Sequence, residues 1–169
     1  MNFTTYVQLS KATEKPIIDS NLKIIHYLLG MGGEYFSEVF TPDVMDNKEK
    51  LVKEYGDFMW YFAGYLRCKE LSITPITTPG KYNLSTSQAL GSIFELEKKR
   101  MYYDKVIDTN QLQNLLNTVY YNVEATLQEV GLSLEECLQI NIDKLKLRYP
   151  EGFSNEAAIN KADEQSTTV

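Results

Sequence analysis

The stretch LVKEYGDFMWYFAGYL, Leu51 to Leu66, decides how the chain reads. Leu51, Tyr55, Phe58, Phe62 and Leu66 recur at steps of three and four, with Val52, Met59 and Ala63 alongside. That spacing marks the buried face of a helix, because a strand would alternate every second residue. It predicts a helix from near Asn47 to about Glu70. Two carboxylates, Glu54 and Asp57, stand three apart inside it, tight against the aromatics.

The same period extends in both directions. Ile17, Ile18, Ile24, Ile25, Leu28, Tyr35 and Val39 outline an earlier helix, with Pro16 at a favoured start. A break follows at FTPDVMDN, Phe40 to Asn47. SITPITTPGKYN, Ser72 to Asn83, reads as a linker, since its prolines and glycine stop any helix. A third helix is expected from about Thr86 to Tyr103 and a fourth from about Asn110 to Val130. A fifth opens at LSLEECL, where Ser133 and Glu136 form a capping-box pattern, and stops at Pro150. The tail from residue 154 to 169 is polar, and its end, NKADEQSTTV (Asn160–Val169), is expected to fray. The expected fold is all-α, in a single domain over residues 1–169.

Shifting the sequence by 61 positions lays a first segment, about 17–72, on a second, about 84–133. LGMGGE (Leu29–Glu34) falls on LGSIFE (Leu90–Glu95), Leu51 on Leu112, Leu66 on Leu127 and Trp60 on Tyr121; Asp46 and Asn47 fall on Ile107 and Asp108. Two amphipathic helices can match in part by chance, because both carry apolar stripes. The repeat reading predicts a duplicated helical hairpin, hence a four-helix core of two similar halves plus a C-terminal helix. The halves differ in their acids. Glu54 falls on Leu115, Asp57 on Thr118 and Glu38 on Lys99, and only Glu34 keeps an acid, at Glu95.

Composition narrows the function classes. A chain of 169 residues buries about 70% of its unfolded surface and needs no disulfide staple. Cys68 and Cys137 match no metal spacing and read as small reduced core residues of a cytoplasmic protein. The net charge of −6 argues against a nucleic-acid polymer as partner, and the one dense basic run, LEKKR (Leu96–Arg100), reads as a solvated helix face. No apolar run reaches the ~20 residues of a membrane span, and no signal-peptide pattern opens the chain.

On a helical wheel, Glu54 and Asp57 lie on one flank of their core stripe with Tyr61 between them. Glu34 and Glu38 take the same flank of the first helix. Four carboxylates at one boundary repel one another, and a divalent cation relieves the repulsion. Mg²⁺ suits such hard oxygen ligands and keeps waters that phosphates displace. The alternative is a solvated face in which Glu54 pairs with Lys50 one turn away. Three glycines in GMGG, just before Glu34, predict a kink or a close backbone approach. Farther on, Asn141, Lys144 and Arg148 share a helix face by their spacing of three and four, a set that suits phosphate oxygens. The alternative is a polar helix end whose cations favour the negative pole of the dipole. His26 is the one histidine, expected at the core edge, so no histidine-based nucleophilic set competes.

Together, LLGMGGEYFSEVF (Leu28–Phe40), KLVKEYGDFMWYFA (Lys50–Ala63) and LSLEECLQINIDKLKLRYPEGF (Leu132–Phe153) resemble the MazG-like, all-α nucleoside triphosphate pyrophosphohydrolases. The resemblance covers about Tyr27 to Phe153. It implies an all-helical fold, Mg²⁺ (or Mn²⁺) held by an E-x-x-E…E-x-x-D set, and hydrolysis of an NTP or dNTP to the monophosphate and pyrophosphate. Carried over, Glu34, Glu54 and Asp57 match metal ligands, and Asn141, Lys144 and Arg148 match the phosphate- and nucleotide-contacting end. The family's second glutamate would fall on Ser37, and Glu38 stands beside it. Glu38 is therefore expected as a fourth ligand, or as the group that orients or deprotonates water. If neither holds, the implied protein is a degenerate, non-catalytic nucleotide-binding or protein-interaction module. The one-sided duplication is also similar to the dimeric dUTPase branch of the wider superfamily, where one chain carries a functional and a degenerate half. Trp60, nearly opposite its helix's core stripe, predicts either a homodimer contact or cover by the second half of the chain.

Overall fold

A computed structural model describes residues 1–75 and 84–160, and all regular structure among them is helical. In chain order the helices are α1 (Phe3–Leu9), α2 (Ser20–Gly33), α3 (Pro42–Met45), α4 (Lys48–Lys69), α5 (Thr86–Tyr103), α6 (Thr109–Glu129), α7 (Leu134–Arg148) and α8 (Asn155–Asn160). A 3₁₀ turn (Ser10–Thr13) follows α1, and α2 runs on into a π-helical stretch, Glu34–Val39. Two compact units result: Met1–Lys69 with the chain from Glu135 onward, and Glu70–Leu134.

The first unit is built around α4, which packs against α1, α2, the π-helical stretch and α3. Asn47 starts α4 by accepting the amides of Glu49 (3.0 Å) and Lys50 (3.2 Å), which satisfies two of the orphan donors at a helix start. Eleven residues from Leu51 to Leu66 are buried, covering far more of the helix than a single stripe. Helices α2 and α4 approach so closely because each offers a glycine to the other's tyrosine. A Cβ on Gly30 would lie 2.1 Å from the ring of Tyr61, and one on Gly64 would lie 2.1 Å from the ring of Tyr27. The close approach expected of GMGG thus occurs at Gly30.

The first helix starts later than the sequence predicts. Asp19 accepts the amide of Leu22 at 2.8 Å and sets the helix start at Ser20, so Ile17 and Ile18 precede it and Ile18 is fully exposed. The sequence reading assigns no element to residues 1–15, yet α1 and its 3₁₀ turn are firmly seated. Arg67 donates to the carbonyl of Val7 (2.6 Å) and to Ser10 Oγ (2.8 Å), and its guanidinium pairs with Glu14. Phe3 packs its ring against Phe62. Trp60 donates from Nε1 to Thr13 Oγ1 at 2.9 Å and rests on His26, Tyr27 and Tyr61. Within the first unit, its cover is this N-terminal segment and α2.

In the second unit α5 and α6 pair as an antiparallel-type hairpin of the sequence's expected lengths. Ser85 and Gln88 form a full capping box at the start of α5. Residues 72–75 of the expected linker are strapped to α6: Asn117 donates to Thr74 Oγ1 (2.8 Å) and accepts the Thr74 amide (3.2 Å). The rest of that linker, residues 76–83, and residues 161–169 of the polar tail lie outside the described residues. The polar tail opens with a short helix, Asn155–Asn160. LEKKR is not wholly solvated either: Glu97 is fully buried and takes an ion pair from Arg100 at 2.7 Å, while Lys98 and Lys99 are exposed. Both cysteines are free, Cys137 buried and Cys68 half-buried. No helix among the described residues is long and apolar enough to cross a membrane.

Candidate metal centre

The acids of α2 and α4 meet in the first unit. Glu34, at the start of the π-helical stretch, and Glu54 and Asp57, one turn apart on α4, each place a carboxylate oxygen within 4.8 Å of the other two. All three are half-buried at the edge of the core. Among the described residues they form the one group of three or more His, Cys, Asp or Glu side chains close enough together to share a metal ion.

The electrostatics follow from that crowding. Burial, reinforced by the charges of Asp57, Glu54 and Glu38, pushes Glu34 up from an ordinary 4.5 to about 7. Glu54 is raised as well, by burial and by Asp57. The neighbouring Tyr61 phenol is pushed up to about 12 by burial and by the charges of Glu34 and Asp57. Lys50, the alternative partner for Glu54, pairs instead with Asp43. Glu38 is exposed and stands outside the close triad, near enough for its charge to act on Glu34 and Glu54.

Helix α7 closes the site from the other side, but not as three free phosphate ligands. Asn141 is buried and donates from Nδ2 to Asp57 Oδ1 at 2.9 Å. Lys144 pairs with the same Oδ1. Both bonds converge on one oxygen, Oδ1. Arg148 is half-buried, and its charge is felt by Tyr61. His26 sits at the core edge as expected, its ring against Trp60 and Tyr61, and burial lowers its pKa.

The donor set fits a hard divalent cation. It offers three carboxylates, two of which resist ionisation when nothing neutralises them, at a distance from one another that one ion can span. Lys144 contributes part of the neutralising charge in its absence.

Sequence reasoning missed two residues here. Gly56, inside EYGD, admits α7: a Cβ there would lie 2.9 Å from the Cβ of Asn141. A glycine in mid-helix beside an acid was a usable signal. Tyr6 reaches Asn141 from α1, and nothing in its local sequence marks it. Comparison with family models, with curated proteins and with solved structures returned no match for this chain.

Proposed function

We propose that this protein is a Mg²⁺-dependent nucleoside triphosphate pyrophosphohydrolase, cleaving an NTP or dNTP to the monophosphate and pyrophosphate. The observation that carries the reading is the triad Glu34, Glu54 and Asp57, with its two raised carboxyls and the cations of α7 alongside. Hydrolysis of a phosphoanhydride needs charge neutralised on the phosphate oxygens and a water held in line. A bound Mg²⁺ supplies the neutralising charge and orients the phosphates. Glu34, Glu54 and Asp57 would hold it, and Mn²⁺ could take its place. Glu38, exposed beside the triad, receives the proton of the attacking water or adds a ligand. Arg148, and Lys144 once released from Asp57, meet the phosphate oxygens. Asn141, buried on Asp57, serves the site by orientation more than by touching substrate.

The π-helical stretch supports a role for Glu38. Its i→i+5 turn is wider than an α-turn, so it keeps residue 38 on the side of residue 34 and turns residue 37 away. The one-residue step from the E-x-x-E pattern falls where the helix accommodates one extra residue. The same reading takes the two hairpins as products of one duplication that together make a four-helix core, and expects a homodimer, which light scattering tests. A second reading, a non-catalytic nucleotide-binding module, is favoured by one observation: Lys144 already gives Asp57 a protein cation. A panel of NTPs and dNTPs assayed for pyrophosphate with and without Mg²⁺ separates the two. Mg²⁺-dependent release from any of them supports the enzyme, and nucleotide binding with no release supports the module.

A further inference from the structure

The N-terminal helix lies outside the segment that resembles any enzyme, yet it reaches the acidic site. Tyr6 is fully buried, and its hydroxyl donates to Asn141 Oδ1 at 2.7 Å, with the Gly56 carbonyl 3.3 Å away. Asn141 passes the constraint on. With Oδ1 taken by a donor, its amide must present Nδ2 to Asp57, which it does at 2.9 Å. Gly56, the residue before Asp57, has no side chain to push Asn141 away. A short chain of bonds therefore runs from α1 through α7 to a carboxylate of the triad on α4.

We propose that Tyr6 is a positioning residue of the acidic site, acting on Asp57 through Asn141, so that the N-terminal segment is part of the cation site. The proposal rests on the triad being a cation site. An isolated carboxylate beside two others would rotate away from them. The Asn141 and Lys144 donors pin Oδ1 and so fix the rotation of the carboxylate, and Tyr6 fixes which end of the Asn141 amide is the donor. The segment is held in place independently by Arg67, which bonds Val7, Ser10 and Glu14, and by Trp60, which bonds Thr13. Removing one hydroxyl therefore leaves α1 where it is.

The test is direct titration of the purified full chain with Mn²⁺, followed by the paramagnetic signal of the free ion, with no nucleotide present. Tyr6→Phe should weaken Mn²⁺ binding by about tenfold, the scale of losing an outer hydrogen bond to a metal ligand. Phe3→Leu is the control: it trims the α1 packing against Phe62 and against the Tyr6 ring but keeps the hydroxyl and its bond to Asn141, so it should lower the melting temperature and leave Mn²⁺ affinity unchanged. The rise in melting temperature on adding Mn²⁺ gives a second readout. It should shrink in Tyr6→Phe and persist in Phe3→Leu. Equal Mn²⁺ affinity in Tyr6→Phe and wild type would overturn the positioning role while the cation site stands. An equal loss in both variants would also overturn it, by making the effect one of packing alone. A wild type that takes up no Mn²⁺ would overturn the cation site and the positioning role with it.

Discussion

Helices α4 and α6 begin at the same point of the 61-residue register. Asn47 caps one and Asp108 the other, and each side-chain oxygen accepts the amides two and three residues on. Their buried positions also correspond: Leu51 with Leu112, Phe58 with Val119, Phe62 with Val123 and Leu66 with Leu127. The contrast lies at two positions. Glu54 and Asp57 are half-buried acids on α4, whereas their counterparts Leu115 and Thr118 are buried on α6. Between them Gly56 admits Asn141 from α7, while α6 carries a buried amide of its own, Asn117, which holds residues 72–75. The lesson is that one helical frame supports either a half-buried acidic edge or a buried uncharged one. The choice depends on two side chains and on what packs against them. The first helices of the two hairpins correspond less well, since Leu29 is exposed and its counterpart Leu90 is fully buried.

The largest expected effect comes from erasing the acidic edge. Glu54→Gln and Asp57→Asn should each lower Mg²⁺-dependent pyrophosphate release by roughly 100-fold or more while the circular dichroism stays helical. Near-normal turnover in both would remove these acids from the chemistry. The reverse experiment carries an acid into α6. Leu115→Glu places a carboxyl where the chain is sealed, and thermal unfolding should show a loss of about 2–4 kcal/mol. A neutral result would mean that α6 can open as α4 does.

Next in size is the step at the π-helical stretch. Glu38→Gln should lower turnover about tenfold and Ser37→Ala should leave it unchanged; the opposite ranking would return the missing acid's role to position 37. Gly56→Ala and Asn117→Ala then compare how each helix is sealed. The first must displace Asn141 and the second removes the strap on Thr74. Each should cost about 1–2 kcal/mol in denaturant unfolding. In Gly56→Ala alone, Mn²⁺ binding should weaken as well.

The smallest effect is a pH dependence specific to α4's edge. Glu34 and Glu54 are raised in the folded chain, so the folded state holds their protons more tightly than the unfolded state does. Glu34's contribution to stability is complete below about pH 4.5 and is lost as the pH rises toward about 7, and Glu54's has the same sign. Metal-free protein should therefore lose melting temperature over that window, and Glu34→Gln should flatten the loss. Glu14 has the opposite sign. Burial works to raise it, but the Tyr27 hydroxyl and the charges of Arg67 and Lys23 outweigh burial and hold it low. Its contribution is present above its unfolded value and is lost on acidification through its lowered one. An unchanged slope in Glu34→Gln would place the titration elsewhere.

Much of this comparison was legible in the chain. The apolar period of α4, the break at FTPDVMDN and the lengths of α5 and α6 follow from local spacing and turn chemistry, which act within a few residues. The gathering of Glu34, Glu54 and Asp57 was legible too, because a wheel assigns each acid a flank and adjacent helices align their flanks. The N-terminal residues were not. Helix α1 is seven residues long and too short to be stable alone. It forms because Arg67 and Trp60, some fifty to sixty positions away, supply the partners of its 3₁₀ turn and last carbonyls.

The sequence by itself determined that this protein is helical, where its long helices run, and that one half carries the acids the other lacks. Helical period, caps and composition are local properties, so they survive without a partner in view. The tertiary structure decided what each acid and cation does. It set Lys144 and Asn141 onto one oxygen of Asp57, left Glu38 exposed beside the triad, and brought Tyr6 to Asn141 across 135 positions. Such pairings depend on how closely helices approach, and here that distance is set by absent side chains, at Gly30 and Gly64 between α2 and α4 and at Gly56 beneath α7.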